Sequence, residues 1–126
     1  MIVLYFSFGE WLMKLCRKEE TIERNNSDNC VVTECPLDDD ALNFAIAKIN
    51  GRYPESGFAI NHKSKEIVYV QQGRGTVCVD GQTVELNAGD VVMIEAGEKF
   101  FWDGEFTFHI ACSPAFTVEQ HKHVIS

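Results

Sequence analysis

The sequence predicts an all-β chain closed into a barrel or sandwich, and three observations carry that prediction. From Cys30 onward, β-branched and aromatic residues come in short runs separated by Gly, Asn, Asp and Pro, which gives about ten strands at regular spacing. Asp80-Gly81 lies between two such runs. A two-residue type I′ hairpin turn needs positive φ at both positions, which Asp tolerates and Gly adopts freely. Only one stretch, near the carboxyl end, reads convincingly as helix.

Taken in order, residues 1–29 form an arm with the first strand or strands, and Leu12 to Arg17 suits a helical turn or two. CVVTECP, Cys30 to Pro36, is a β-branched strand ended by proline, and Leu37 to Asp40 is an acidic turn. Asn43 to Asn50 alternates Phe44, Ile46 and Lys48 with Ala45, Ala47 and Ile49, the period of a half-buried strand. Gly51 to Gly57 is a loop by its glycines and proline. Strands follow at Phe58 to His62, Glu66 to Gln72, Gly75 to Asp80, Gln82 to Leu86, Asp90 to Ile94, Lys99 to Trp102 and Phe106 to Cys112. A second turn, NAGD, covers Asn87 to Asp90. Pro114 to Lys122 is the helix, with Ser113 as N-cap and Pro114 at the first helical position, so the barrel spans 30–113 and a helix and tail span 114–126.

One hundred and twenty-six residues suit one compact domain, and 45% apolar with 11% aromatic residues make it a folded one. The formal charge of −8 argues against nucleic acid or an anionic membrane as partner, because Lys63, Lys65 and Arg74 are scattered among carboxylates and form no basic patch. Five cysteines, an odd number without CxxC spacing, point to free thiols in a reducing cytoplasm. The apolar run Met1 to Phe8 has no basic segment before it and no small-residue cleavage site after it. It is also too short to span a bilayer as a helix. It reads as an arm packed on the barrel or on a neighbouring subunit, or as an extension upstream of Met13.

The chemistry-bearing stretch is NHKSKEIVYVQQGR, Asn61 to Arg74. With a tight turn at Lys63-Ser64-Lys65, His62 ends one strand and Glu66 begins the next. Their side chains then stand near the roughly 5 Å of a cross-strand pair. Ile60 shares the face of His62, and Val68 and Val70 share that of Glu66, so an imidazole and a carboxylate project into an apolar cavity. Such a pair satisfies itself by hydrogen bonding, or serves as an acid–base pair with His62 titrating near neutrality. Phe100 and Trp102 share a face, either as core or as a stacking platform for a planar ligand. His109 shares a face with Thr107 and Ala111. His121 and His123 form an H-x-H pair that reads as solvated.

At these residues the chain resembles the cupins, small β-barrels of the double-stranded jelly-roll type. Gly57, Ile60-Asn61-His62, Glu66 and Gly73 correspond to their first motif, with the spacing ahead of Ile60 shorter than usual. Gly89, Glu95-Ala96-Gly97, Phe100 and Gly104 correspond to the second. The resemblance implies the jelly-roll fold and a homodimer. Metal-binding cupins place ligands at the positions of Ile60, His62, Glu66 and Phe100, and only His62 and Glu66 can ligate here. His109, Cys78 or Cys112 would have to complete a divalent-metal site. The expectation is a metal-free, small-molecule-binding cupin whose cup takes a sugar, an organic acid or an aromatic compound, lined by Ile60, His62, Glu66, Val68, Phe100, Trp102 and His109. The alternatives are an isomerase or epimerase using His62 and Glu66, a metal-dependent dioxygenase, and a structural dimerisation module.

Overall fold

The computed structural model of the protein describes residues 2–5 and 12–125. Eleven strands are described: β1 (Ile2–Tyr5), β2 (Leu12–Leu15), β3 (Ile22–Ser27), β4 (Cys30–Cys35), β5 (Asn43–Tyr53), β6 (Phe58–Asn61), β7 (Lys65–Val79), β8 (Gln82–Asn87), β9 (Val91–Ile94), β10 (Lys99–Ser113) and β11 (His121–Val124). β1 and β2 pair as a separate antiparallel hairpin, while the alternatives for the arm fall in part on residues 6–11, outside the described ones. No described helix is long and apolar enough to cross a membrane.

The remaining nine strands make one strongly curled sheet organised around β10. One side of β10 pairs with β5 from Trp102 to Cys112 and with β6 at Lys99 and Phe100, so β6 takes over where β5 ends. The other side pairs along its whole length with β7, whose outer edge is covered by β8 at Arg74 to Val79 and by β9 at Glu66 to Tyr69. The expected breaks at Gly73 and around Gly104 are bends within two fifteen-residue strands. Gly73 and Gly104 take φ of 82° and 144°, and the register slips by one between Thr107 and Phe108. The hairpin turn forms as expected, with φ of 47° at Asp80 and 85° at Gly81.

Inside the curl lie Val68, Val70, Val77, Ile94, Phe100, Trp102, Phe106 and Phe108, all nearly inaccessible to solvent. Each contributes about 1.5–3 kcal/mol by leaving water. On β5 the inward positions are Ala45, Ala47 and Ile49, and the larger Phe44 and Ile46 face out. Ala47 stands opposite Phe108 and Ala45 opposite Ile110. Small side chains facing large ones on this wall leave the interior incompletely filled.

Two expectations fail locally. Leu12–Leu15 is a strand, followed by a 3-10 turn at Lys18–Glu20, so Leu12 to Arg17 is not helical. The short helix expected over Pro114 to Lys122 is absent too. Ala115 N–H bonds to the Asp40 carbonyl, Phe116 N–H to Asn43 Oδ1, a 3-10 turn covers Val118–Gln120, and His121–Val124 pairs with β6. Without that pairing β6 would present an open edge, and tertiary pairing outweighs the local helix signal.

Candidate functional site

The unfilled space is a cup of about 70 Å³ on the side of β5 and β10. Its wall is apolar: Cys30, Val32, Ala45, Ala47, Phe100, Trp102, Phe108 and Cys112. The rings pack on one another, with Trp102 and Phe108 centroids 4.4 Å apart and Phe100 edge-on to Trp102 at 6.1 Å. Arg24, Glu34 and Phe116 are partly exposed and form the rim.

The floor is polar and built from three strands. Glu66 opens β7, Asn61 ends β6 and His121 begins β11, with His121 opposite Asn61 in register. Asn61 Nδ2 donates to Glu66 Oε1 at 3.1 Å, and among the described residues no other group hydrogen-bonds that carboxyl. Asn61 Oδ1 lies 2.6 Å from His121 Nδ1, and His121 Nε2 lies 2.9 Å from the Tyr53 hydroxyl. His123 Nε2 reaches the same hydroxyl at 3.1 Å. With the amide oriented this way, Asn61 Oδ1 must receive the Nδ1–H of His121, which leaves Nε2 of a neutral ring to accept from Tyr53. The donors then run in one direction, from exposed His123 to buried Glu66.

Burial sets the charge states. Glu66 is 5% exposed, and loss of hydration pushes its carboxyl up to about 7, the single Asn61 bond offsetting only part of this. Burial, followed by the neighbouring His123 and Arg24 charges, holds His121 down at about 4. Burial likewise pushes the Tyr53 phenol up, and the Cys30 and Cys112 thiols up to about 12. Near neutrality the floor therefore offers a protonatable carboxyl beside a neutral imidazole. That combination can donate and accept hydrogen bonds, and can move a proton at a bound ligand.

Of the residues singled out from sequence, the cup brings together Glu66, Phe100 and Trp102. Ile60 and Val68 are buried but do not line it. His62 is exposed and does not face Glu66, which corrects the expected pairing. β6 ends at Asn61, and the following turn is tied to the carboxyl-terminal segment. Gln120 Oε1 accepts from Lys63 N–H and Ser64 N–H at 2.9 and 2.7 Å, and the Gln120 carbonyl accepts from His62 N–H. The strand therefore presents Asn61 inward, and a one-residue change of register swaps faces. His109 is on the outer face of the sheet, between Phe44 and Tyr69 and 3.2 Å from Gln71 Oε1. Sequence reasoning missed Asn61, Tyr53 and Arg24 altogether. It saw His121 only as a solvated terminal residue, although the H-x-H alternation already placed His121 and His123 on one face of a possible strand.

At the four positions used by metal-binding cupins, Ile60 and Phe100 offer no donor and His62 lies outside the cup. Among the suggested substitutes, Cys112 lines the cup while His109 and Cys78 do not. Among the described residues no three His, Cys, Asp or Glu side chains converge where they could hold an ion. These residues do not fit a mononuclear metal centre, which takes three or four protein donors.

Comparison with known proteins agrees on the fold. The family model described as "Cupin domain" matches residues 52–110. A search of curated protein sequences returns no match. Among solved structures, Pac13, described as a unique nucleoside dehydratase and from Streptomyces, superposes with a TM-score of 0.80 at 18% identity, covering 90% of this chain and 92% of that one. A variant of that protein was solved with uridine. An RmlC-like cupin from Shewanella frigidimarina gives 0.65 at 19% identity, covering 79% and 88%. KdgF from a Halomonas species gives 0.64 at 15%, covering 80% and 94%. At these identities the likeness is one of fold. The curled sheet centred on β10, the glycine turns of both motifs and the family match over residues 52–110 together show a small cupin domain in this chain.

Proposed function

We propose that this cupin is a metal-free binding domain for a compact small molecule, held in the cup between the Phe100–Trp102–Phe108 rings and the Glu66–Asn61–His121 floor. The observation that carries the reading is a ring-lined cavity closed by a polar floor whose members are already hydrogen-bonded to one another. Binding sites of this kind combine apolar walls with a few placed polar groups. The cavity is about half the roughly 150 Å³ of an engineered cavity that takes up benzene, so the ligand is small or leaves part of itself at the rim. That Pac13, a structural neighbour, has been solved with uridine supports a small-molecule ligand for a domain of this fold.

A second reading is supported by the floor's charge states: an isomerase or epimerase in which Glu66, linked through Asn61 to His121 rather than paired with His62, is the acid or base. A carboxyl near 7 is matched to proton transfer at neutral pH. Turnover lost in Glu66→Gln with ligand binding retained would select this reading over simple binding.

The test of the binding proposal is to fill the cup. Ala45→Leu adds volume to the wall without touching the floor, and overpacking costs at most a few kcal/mol. Calorimetric titration with small sugars, organic acids and aromatic compounds is expected to show binding to the wild type and none to a folded Ala45→Leu. Protein prepared without chelators is expected to hold transition metal well below one equivalent by elemental mass spectrometry. A near-stoichiometric metal, or binding indifferent to the filled cup, would overturn the proposal.

A further inference from the structure

Arg24 gives the cup a ligand class, and the inference deepens the binding reading above and rests on it. The residue stands on β3 opposite Val32 in register, and Val32 faces the core, so an arginine occupies an inward position at the rim. Its guanidinium is held in place from two sides. Nη2 pairs with Glu34 Oε1 at 2.5 Å, and Cζ sits 5.6 Å from the centre of the Phe116 ring. Its charge acts on Cys30, Tyr53 and His121, all of which line the cup. Yet Arg24 Nε is, among the described residues, the one buried side-chain nitrogen or oxygen without a hydrogen-bond partner.

Buried polar atoms are almost always satisfied, so a clamped guanidinium that lines an open cavity and is not fully paired calls for an acceptor from elsewhere. Among the described residues Arg24 is the only lysine or arginine lining the cup. A carboxylate answers it best, since a charge-assisted bond is about twice as strong as a neutral one. A phosphate dianion suits the cup less well, because the carboxyl groups of Glu34 and Glu66 both line it beside the single guanidinium. At the far end the floor suits an anion only while Glu66 stays protonated, which burial favours below neutrality.

We infer that the cup takes a small carboxylate, one oxygen accepting from the Arg24 guanidinium at the rim while the body of the ligand lies against Trp102 and Phe108. The class is thus an organic acid rather than a neutral sugar or an uncharged aromatic compound.

Matched pairs of probes test this: benzoate against benzamide and lactate against lactamide, titrated calorimetrically at pH 6 into the full chain. Wild type is expected to bind one carboxylate about tenfold tighter than its amide, the margin of a charge-assisted over a neutral bond. In Arg24→Gln that preference is expected to vanish. Should Arg24→Gln not fold, Glu34→Gln decides. It frees Nη2 and removes a competing carboxylate, so carboxylate affinity is expected to rise severalfold while amide affinity stays put. Equal affinities for acid and amide in wild type would overturn the inference, as would a preference that survives Arg24→Gln or an affinity that does not rise in Glu34→Gln. If neutral sugars or amides bind in the cup without an acid preference, the inference falls and the binding reading stands. If none of these compounds binds, both fall.

Discussion

The Glu66 carboxyl has one amide donor at 3.1 Å and otherwise faces rings and thiols, so little supports its charged form. Folding raises it from 4.5 to about 7, which at about 1.4 kcal/mol per pKa unit amounts to about 3 kcal/mol. The stabilisation is fully present below 4.5, where both states are protonated, and is lost as pH rises through 7. His121 has the opposite sign. Its pKa falls from 6.5 to about 4, so its share is present above 6.5 and is lost as pH falls through 4. Glu66→Gln keeps an acceptor for Asn61 and removes the titration. Urea denaturation at pH 5 and pH 8 is expected to show the variant gaining about 3 kcal/mol on wild type between the two. Parallel behaviour at both pH values would mean Glu66 is not held protonated. At this scale the sequence was half legible. Glu66, Phe100 and Trp102 were assigned to one cavity from sequence, and do line the cup, because motif spacing and alternation locate them. Asn61 was missed because its orientation depends on Gln120, about sixty residues away, which no local pattern reveals.

Between elements, one tight constraint is the close approach of β7 and β10 at the paired residues Gly75 and Gly104. A Cβ on Gly104 would meet the Gly75 Cα at 2.5 Å and the Arg74 carbonyl oxygen at 2.8 Å, both backbone atoms that cannot move aside. Gly97 also has positive φ, at 86°, but a Cβ there meets nothing within 4 Å. The two separate conformational from steric demand. Gly97→Ala is expected to cost about 1–2 kcal/mol, the price of a left-handed residue. Gly104→Ala is expected to cost about 3 kcal/mol or more. Denaturant midpoints of the two variants check this, and equal losses would mean that the approach is not close-packed. Glycine spacing was the part of the fold most legible from sequence, because each motif glycine answers a local backbone requirement. β3 and β11 were not legible. Neither has strong β propensity: IERNNS is polar, and HKHV follows a proline and a plausible N-cap. Their strand character comes from the edges they cover on β4 and β6.

For the molecule as a whole, we propose the outer face of the sheet as the surface for a second copy. In register across β9, β7, β10 and β5 stand Met93, Ile67, Ala111 and Phe44, and beside them Val91, Tyr69, His109 and Ile46. Ile67, Tyr69, Val91 and Met93 are about half exposed, so the two rows form one continuous apolar patch. The cupin resemblance implies a homodimer, and an uncharged patch of this shape suits a second copy related by a two-fold axis. Charge makes that partner distinguishable from others. Two copies each carrying −8 repel, so screening should strengthen their association, whereas a basic partner would be released by salt. Sedimentation velocity is expected to show a dimer whose dissociation constant falls between about 0.05 M and 0.5 M salt, as the Debye length shortens. The double variant Val91→Lys, Met93→Lys places charge on strand positions that are already exposed and is expected to sediment as a folded monomer at either salt. A wild type that stays monomeric at every concentration would sink the dimer. A dimer unaffected by the two lysines would move it to another surface.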